Sequence, residues 1–483
     1  MSGHAGVVCY PERRAWQNTA LRILKSFPMY IHTPSRLLCV LAALFVATAP
    51  LEAATTALVG GTLIDGTGTG PINHSVVLIQ EDRIIATGRQ GELRVPADAA
   101  VVSTVGMTVI PGLIDVAVHL DQLGHGHHAR WLEAYQPLTD KVVLPVSARA
   151  LLAAGVTTAR DIGVALESSK SLRRRIADGK IPGPTLSLCG AHIARQSRDR
   201  ESIVVARSAT ELRQAVEKLA NQGADAIVVE DVADYSAGEL STLHFAAEDA
   251  GLRWYAWLRT DADIAPAVRA GAFGLLGLGN DFHETLPADA IQAIASRVAA
   301  GRPVYWALGA SVLTNHEWLR ENSASLDEQR WKAPFPHIVA EDIQQSLADL
   351  NGRPIDLDTP TLRFSVLGSR IRSARSAGAR FLVGSMAGEP GHIPSRATWQ
   401  EVEVLVTQAG YTTAEALRAA TLDAAFALGQ DADIGSIAPG KFADIVAIRG
   451  DVLRSIDHLA DVRMVFRHGK RYTPNPVSDE DDL

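Results

Sequence analysis

Cysteine is scarce: the 483 residues include three, Cys9, Cys39 and Cys189. A chain trimmed near Ala53 keeps Cys189 alone, so it forms no internal disulfide even in an oxidising compartment, and its stability has to come from an apolar core. Aromatic residues are also few, at 6%, and no run of Lys and Arg is interleaved with them; with a net charge of −8, nucleic acid is not an expected partner. No apolar run reaches the roughly 18 residues of a membrane-spanning helix. The run "LLCVLAALFVATA" at 37–49 has the length of a signal-peptide apolar region, follows Arg36, and leads into "PLEAA" with small or apolar residues for cleavage. These features predict export to a periplasm or secretion, with no stable membrane anchor once the signal is removed. A single uncleaved anchor is the alternative.

What is present suits a soluble globular protein with a large core, since 47% of residues are hydrophobic and 21% charged. Residues 54–110 read as short strands broken by glycine turns, in "ALVGGTLIDGTG", "HSVVLIQEDRIIATG" and "TVIPG". The same signal returns near the other end in "GSIAPGKFADIVAIRG" and "VRMVFRHGKRY". Between them, at 111–428, apolar runs alternate with helix-length amphipathic segments. The runs are "LIDVAVH", "VTTARDI", "PTLSLCG", "ADAIVVE", "LRWYAWL", "FGLLGLG", "PVYWALG" and "ARFLVGS". Such an α/β alternation predicts a (β/α)8 TIM-like barrel, whose site lies at the C-terminal ends of the strands. The expected organisation is an N-terminal extension and signal at 1–53, strand-rich segments at 54–110 and 429–474, the barrel at 111–428, and an acidic tail at 475–483. The long connection between the last two runs carries Trp318, Trp331, Pro334, Phe335, Pro336 and His337, which suits either a lid over the barrel mouth or plain packing.

Several motifs occur in a family's order: "LVGGTLIDGTG", "PGLID", "LLAAGVTTARDIG", "IPGP", "GAD", "AEALRAATLDAAFALG" and "IGSIAPGKFADIVAI". In this the chain resembles the amidohydrolase superfamily, in particular its imidazolonepropionase-like and Xaa-Pro dipeptidase-like metal-dependent hydrolases. The resemblance implies a barrel with a small composite β-sandwich built from both chain ends. It also implies one or two divalent ions held by His-x-His on the first strand, a bridging Lys, usually carboxylated, on the fourth, one His each on the fifth and sixth, and an Asp on the eighth. Such ions lower the pKa of a bound water and polarise the scissile carbonyl, while the Asp moves the proton.

Residue by residue, this pattern is mostly missing. "PGLIDVAVH" places Ala117 and His119 at the His pair. "GADAIVVE" puts Val228 at the Lys, "GLRWYAWLR" puts Trp257 at a His, and "AGAFGLLGLG" puts Leu276 and Gly277 at Glu and His. "VGSMAG" puts Met386 at the Asp. Val has no donor atom, an indole N–H only donates, and a thioether is neither a hard-metal ligand nor a base. His119 is the one family ligand retained. Asp121, Glu230 and Arg259 are candidates for a rebuilt site, Glu230 lying two residues beyond Val228 and so on the same strand face; a structural ion pair is the other reading of Glu230. "GHGHHARW" offers His125, His127 and His128, either as a metal-binding cluster or as an exposed loop without a role. His192 and His283 read as satisfied or surface histidines, and Arg160 and Asp161 as a structural bond network. Ser385 has no sequence-local His or Asp and no GxSxG elbow.

The expectation is therefore an exported barrel protein with a degenerate metal centre, needing no cofactor and binding a small molecule or peptide without hydrolysis. The alternative is a hydrolase of carbon–nitrogen bonds, non-peptide or dipeptide, with one divalent metal such as zinc at a rebuilt site. A homo-oligomer is compatible with either.

Overall fold

The computed structural model describes residues 54–126, 133–197, 202–279, 281, 283–311, 313, 329–348 and 358–474. The signal segment, His127, His128, Trp318 and the acidic tail lie outside the described residues. Among those described, no helix is long and apolar enough to cross a membrane.

Each of the eight apolar runs forms a strand. In chain order the strands are Leu113–Val118, Val156–Asp161, Thr185–Leu188, Ala226–Val229, Arg253–Trp257, Gly274–Leu276, Val304–Ala307 and Ala379–Leu382. The first three pair in parallel as one sheet, and the fourth to eighth pair in parallel within another. Backbone bonds join the two sheets on both sides. Asp225 N donates to Leu188 O between the third and fourth strands, and Val116 N donates to Val383 O between the first and eighth. The result is a closed TIM-like barrel.

The connecting segments are helical where apolar spacing and end signals agree. Leu144–Ala153, Ala209–Asn221 and Ala288–Ala299 each run toward a glycine in the left-handed region, Gly155, Gly223 and Gly301, which stops the helix without a Cβ clash. Ser236 and Glu239 cap Ala237–Asp249 reciprocally, as Thr412 and Glu415 cap Thr413–Ala419.

Strands from the two chain ends share a sheet outside the barrel. Lys470–Tyr472, Val462–Arg467, Ile445–Arg449, Met107–Pro111 and Thr62–Leu63 lie side by side in that order. A second sheet of Arg83–Arg89, Ser75–Gln80, Thr55–Val59 and Ala100–Ser103 completes the layer. Leu58, Val77 and Ile79 of one sheet pack with Val109, Ile445 and Phe466 of the other. The opposite faces are buried as well: Ala57, Val76 and Leu78 form a small cluster of their own, and Ile110, Val446, Ile448 and Val465 join the barrel core.

The described part of the long connection before the eighth strand packs as core. Trp331 and Phe335 are buried with Leu123, Val146, Ala150 and Ile343, while Pro334 O accepts a bond from Arg149. Of the lid and packing readings, the described aromatics follow the second. Within the same connection, helix Asp358–Ser376 carries Arg370, whose guanidinium is buried and forks onto Asp261 just past the fifth strand. This pair fixes the helix to the barrel.

Asp444 sits where sheet and barrel meet. Its carboxylate accepts His468 N–H at 2.7 Å, and its backbone oxygen accepts Gly112 N–H at the start of the first barrel strand. Burial pushes this carboxyl up to about 7 from an ordinary 3.8. The native state thus keeps a proton that the unfolded chain releases near its ordinary value, so the stability this group contributes is full below about pH 4 and is lost as pH rises through 7. Urea midpoints measured from pH 4.5 to 8 are expected to fall with pH, and Asp444→Asn to flatten that slope; an unchanged slope refutes the assignment.

Candidate functional site

The C-terminal ends of the barrel strands carry two polar groupings and, beneath them, an apolar centre. The first grouping starts at His119, one residue past the first strand. Its ring is buried, with Nε2 3.3 Å from Glu389 Oε1, and Glu389 is about one-quarter exposed. Gly163, after the second strand, makes room for this ring: a Cβ there would stand 2.4 Å from Nδ1. Asp121 lies beside the same glycine and in the field of Asp161. Burial, with Asp121 adding to it, pushes the Asp161 carboxyl up to about 7. Asp161 accepts the Ser169 hydroxyl and the backbone N–H of Leu120 and Gly163, so it braces the loop that follows His119.

The second grouping is centred on Glu230. Its Oε1 is 2.7 Å from His192 Nδ1, and its Oε2 is 3.6 Å from Arg259 Nη1. His192 Nε2 donates to Ile162 O, since a carbonyl oxygen only accepts. Arg259 also reaches Asp231, Nε to Oδ1 at 3.7 Å. Asp231 stands at φ +55°, a conformation that costs a non-glycine residue about 1 kcal/mol or more and turns the chain sharply at the end of the fourth strand. Glu230 is therefore engaged in an ion-pair network. Asp121 and His119 lie together, but Glu230 meets His192 and Arg259.

Trp257 separates the two groupings. Its ring is edge-on to His119 at 5.9 Å between centroids and tilted against His192 at 5.7 Å. Below it, Ala117, Val228, Leu276 and Met386 belong to one apolar cluster with Ile162, Cys189 and Tyr255, and Trp257 packs on that cluster. Met386 takes φ +55°, and its side chain presses on Gly309, where a Cβ would come within 2.6 Å of the Met386 Cγ. The backbone around it is held by Met386 N donating to Ala117 O and Glu389 N donating to Met386 O. This turn brings Glu389 back over His119.

Other sequence candidates are accounted for by structure. His125 is buried, its Nε2 donating to Asp342 Oδ2 at 3.0 Å and its ring against Tyr135, which corrects the exposed-loop reading of that residue. His283 is exposed. Ser385 gives its hydroxyl proton to Asp115 Oδ2 at 2.6 Å, and its N–H to Asp115 Oδ1 at 3.0 Å. Asp115 also accepts from Thr398 Oγ1 at 2.7 Å, and burial raises its carboxyl against these bonds. Arg160 is buried with Nε donating to Val116 O and its guanidinium over the Tyr255 ring. Glu389 escaped sequence reasoning; the available signal was an acid in "MAGEPGH", where two glycines permit the reversal that returns it to the mouth.

The family model described as the amidohydrolase family matches residues 108–252 and 355–472, more than half of the chain. The chain belongs to the amidohydrolase family. Solved structures share the fold across nearly the whole length. A Xaa-Pro dipeptidase with bound methionine in the active site is 20% identical, with a TM-score of 0.67, covering 87% of this chain and 100% of that one. The ochratoxinase of A. niger is 20% identical, with a TM-score of 0.64 and coverages of 89% and 99%. Molinate hydrolase is 20% identical, with a TM-score of 0.66 and coverages of 87% and 95%. A comparison with curated protein sequences gives no match.

An amidohydrolase barrel implies a metal, and the donor set here does not fit one. Apart from His119, the positions at which the family resemblance expects ligands carry a methyl, an isopropyl, an indole, a glycine and a thioether, and the side chains among them pack in or on one apolar cluster. Among the described residues no group of three or more His, Cys, Asp or Glu stands ready to hold an ion. Restoring one ligand is expected to harm the protein. Met386→Asp would bury a carboxylate in the apolar cluster with no cation beside it, costing about 3 kcal/mol or more. Urea melts with and without added zinc should show the same loss; rescue by zinc would contradict it.

Proposed function

We propose that this chain is an exported amidohydrolase-family protein whose barrel has given up binuclear metal hydrolysis and that it binds a small molecule or peptide at the barrel mouth. The observation that carries the reading is the single apolar cluster formed by Ala117, Val228, Leu276 and Met386, with Trp257 over it. Removing only an outer partner of a metal ligand commonly costs about 10- to 100-fold in affinity or activity, and here the inner donors themselves are replaced. The polar rim that remains, with His119, Asp121 and Glu389 on one side of Trp257 and His192, Glu230 and Arg259 on the other, offers both acceptors and donors to a ligand. Export rests on the apolar run at 37–49.

A second reading draws on the 3.3 Å approach of Glu389 to His119. A carboxylate and an imidazole in contact at a barrel mouth form an acid–base pair, and structures of the same fold include ones named as a Xaa-Pro dipeptidase and a molinate hydrolase. On that reading the chain attacks a carbon–nitrogen bond, with His119 and Asp121 as the remains of a one-metal site.

Elemental analysis of the purified mature protein, paired with a panel of N-acyl amino acids and dipeptides, separates the two. The expected result is well under one bound metal per chain and no turnover above a His119→Ala control. One or two tightly held ions with metal-dependent turnover abolished by His119→Ala overturns the leading reading.

A further inference from the structure

The two-layer β unit leaves one strand edge open among the described residues. Ala100–Ser103 pairs with Thr55–Val59 on one side and ends its sheet on the other. Thr104 N donates to Val59 O, and the direction of backbone bonding alternates along a strand. Val102 and Thr104 therefore face Thr55–Val59, while Val101 and Ser103 turn their N–H and C=O outward. Side chains here are exposed too: Val101 by 62%, and Val105, just past the strand, by 70%.

The other three edges of these two sheets are protected. Arg83–Arg89 begins and ends on arginine, and Ile84 exchanges backbone bonds with Lys441 and Gly440. Thr62–Leu63 is closed by the two bonds between Leu63 and Ile72, and Lys470–Tyr472 carries Lys470 and Arg471. Charge on an edge strand, or cover over it, keeps a second strand from adding there. Residues 99–107 contain neither a charge nor a proline. Their outward donors, acceptors and valines are a template for another strand.

We infer that Ala100–Ser103 is a dimerisation edge, pairing antiparallel with the same strand of a second copy of this chain. Two identical strands pair about a two-fold axis, so a charge close to the axis would meet its own copy; a neutral stretch is what self-pairing requires. The axis that suits the outward groups passes Val102. Val101 of one copy then exchanges N–H···O bonds with Ser103 of the other, and the reverse pair forms by symmetry. In that register Asp98 lies opposite Gly106, so no like charges oppose, and the two Val101 side chains become diagonal neighbours. The paired stretch is short, so a reversible dimer is expected and not an obligate one.

Sedimentation equilibrium of the purified chain, from about 1 to 100 μM, tests this, with an expected Kd of about 1–50 μM. Val101→Lys is expected to weaken the dimer by about 10-fold or more, since it sets two charges near the axis. Ser103→Pro removes an outward N–H and leaves the bonds to Thr55–Val59 in place; it is expected to act in the same direction and covers a failure of Val101→Lys to fold. Register is read with cysteines. Val102→Cys brings two Cα atoms to about 4.5 Å, within reach of a disulfide, whereas Ala100→Cys leaves them about 14 Å apart. Mild oxidation should cross-link the first and not the second. The inference is overturned by a monomer across the whole range, by a dimer indifferent to both Val101→Lys and Ser103→Pro, or by cross-linking through Ala100→Cys alone. A monomer whose urea midpoint falls with Ser103→Pro assigns the edge to another segment of the same chain, and the dimer fails.

Discussion

The carboxylate of Asp115, wholly buried on the first barrel strand, gathers the Ser385 N–H and hydroxyl, the Thr398 hydroxyl and the Ala117 N–H into one knot, and the rest of the mouth depends on it. A buried charge stripped of these partners would be costly, so the knot holds the loop after the eighth strand against the first. That registration places Met386 N on Ala117 O and His119 N on Ala387 O. Both features of the mouth follow from it: a thioether directed into the barrel centre, and a glutamate turned back over His119. A loop displaced by even one residue would misplace both.

The mouth is thereby divided by polarity. Within the barrel, Ala117, Val228, Leu276 and Met386 pack as one apolar cluster at positions where the family resemblance expects functional side chains, and none of them is a hard-metal ligand. At the rim the charged groups are partnered with each other. His119 meets Glu389, while Glu230 is held by His192 and Arg259. Trp257 keeps the two sets apart and sits against both imidazoles. The rim thus presents paired hydrogen-bonding groups above an apolar floor.

The barrel was legible in the sequence because each strand is a short β-branched or aromatic run bounded by glycine, and helix spacing fills the intervals. The substituted positions were legible through the family resemblance, whose motifs around "PGLID", "GAD" and "VGSMAG" carry Ala117, Val228 and Met386 where it expects ligands. The rim was not. Glu230 reads either as a rebuilt ligand or as half of an ion pair, and its partner stays unnamed until His192, 38 residues earlier, is folded onto it; Asp115 meets Ser385 across 270 residues. Glu389 depends on left-handed backbone at Met386 and Gly388, which no hydrophobic period encodes. His125 looked exposed because its partner Asp342 comes from the long connection whose helices pack beneath the first strand's loop.

The pressing of Met386 onto Gly309 bears on how such a barrel changes over generations. Each apolar side chain in the centre has become part of its neighbours' packing, so their energetic effects no longer add. A single polar or smaller replacement at Met386 meets a floor shaped to the thioether, whereas matched changes at Met386 and Gly309 can compensate one another. The centre thus resists change one residue at a time and admits it in matched sets, so its packing constrains the order in which substitutions can accumulate.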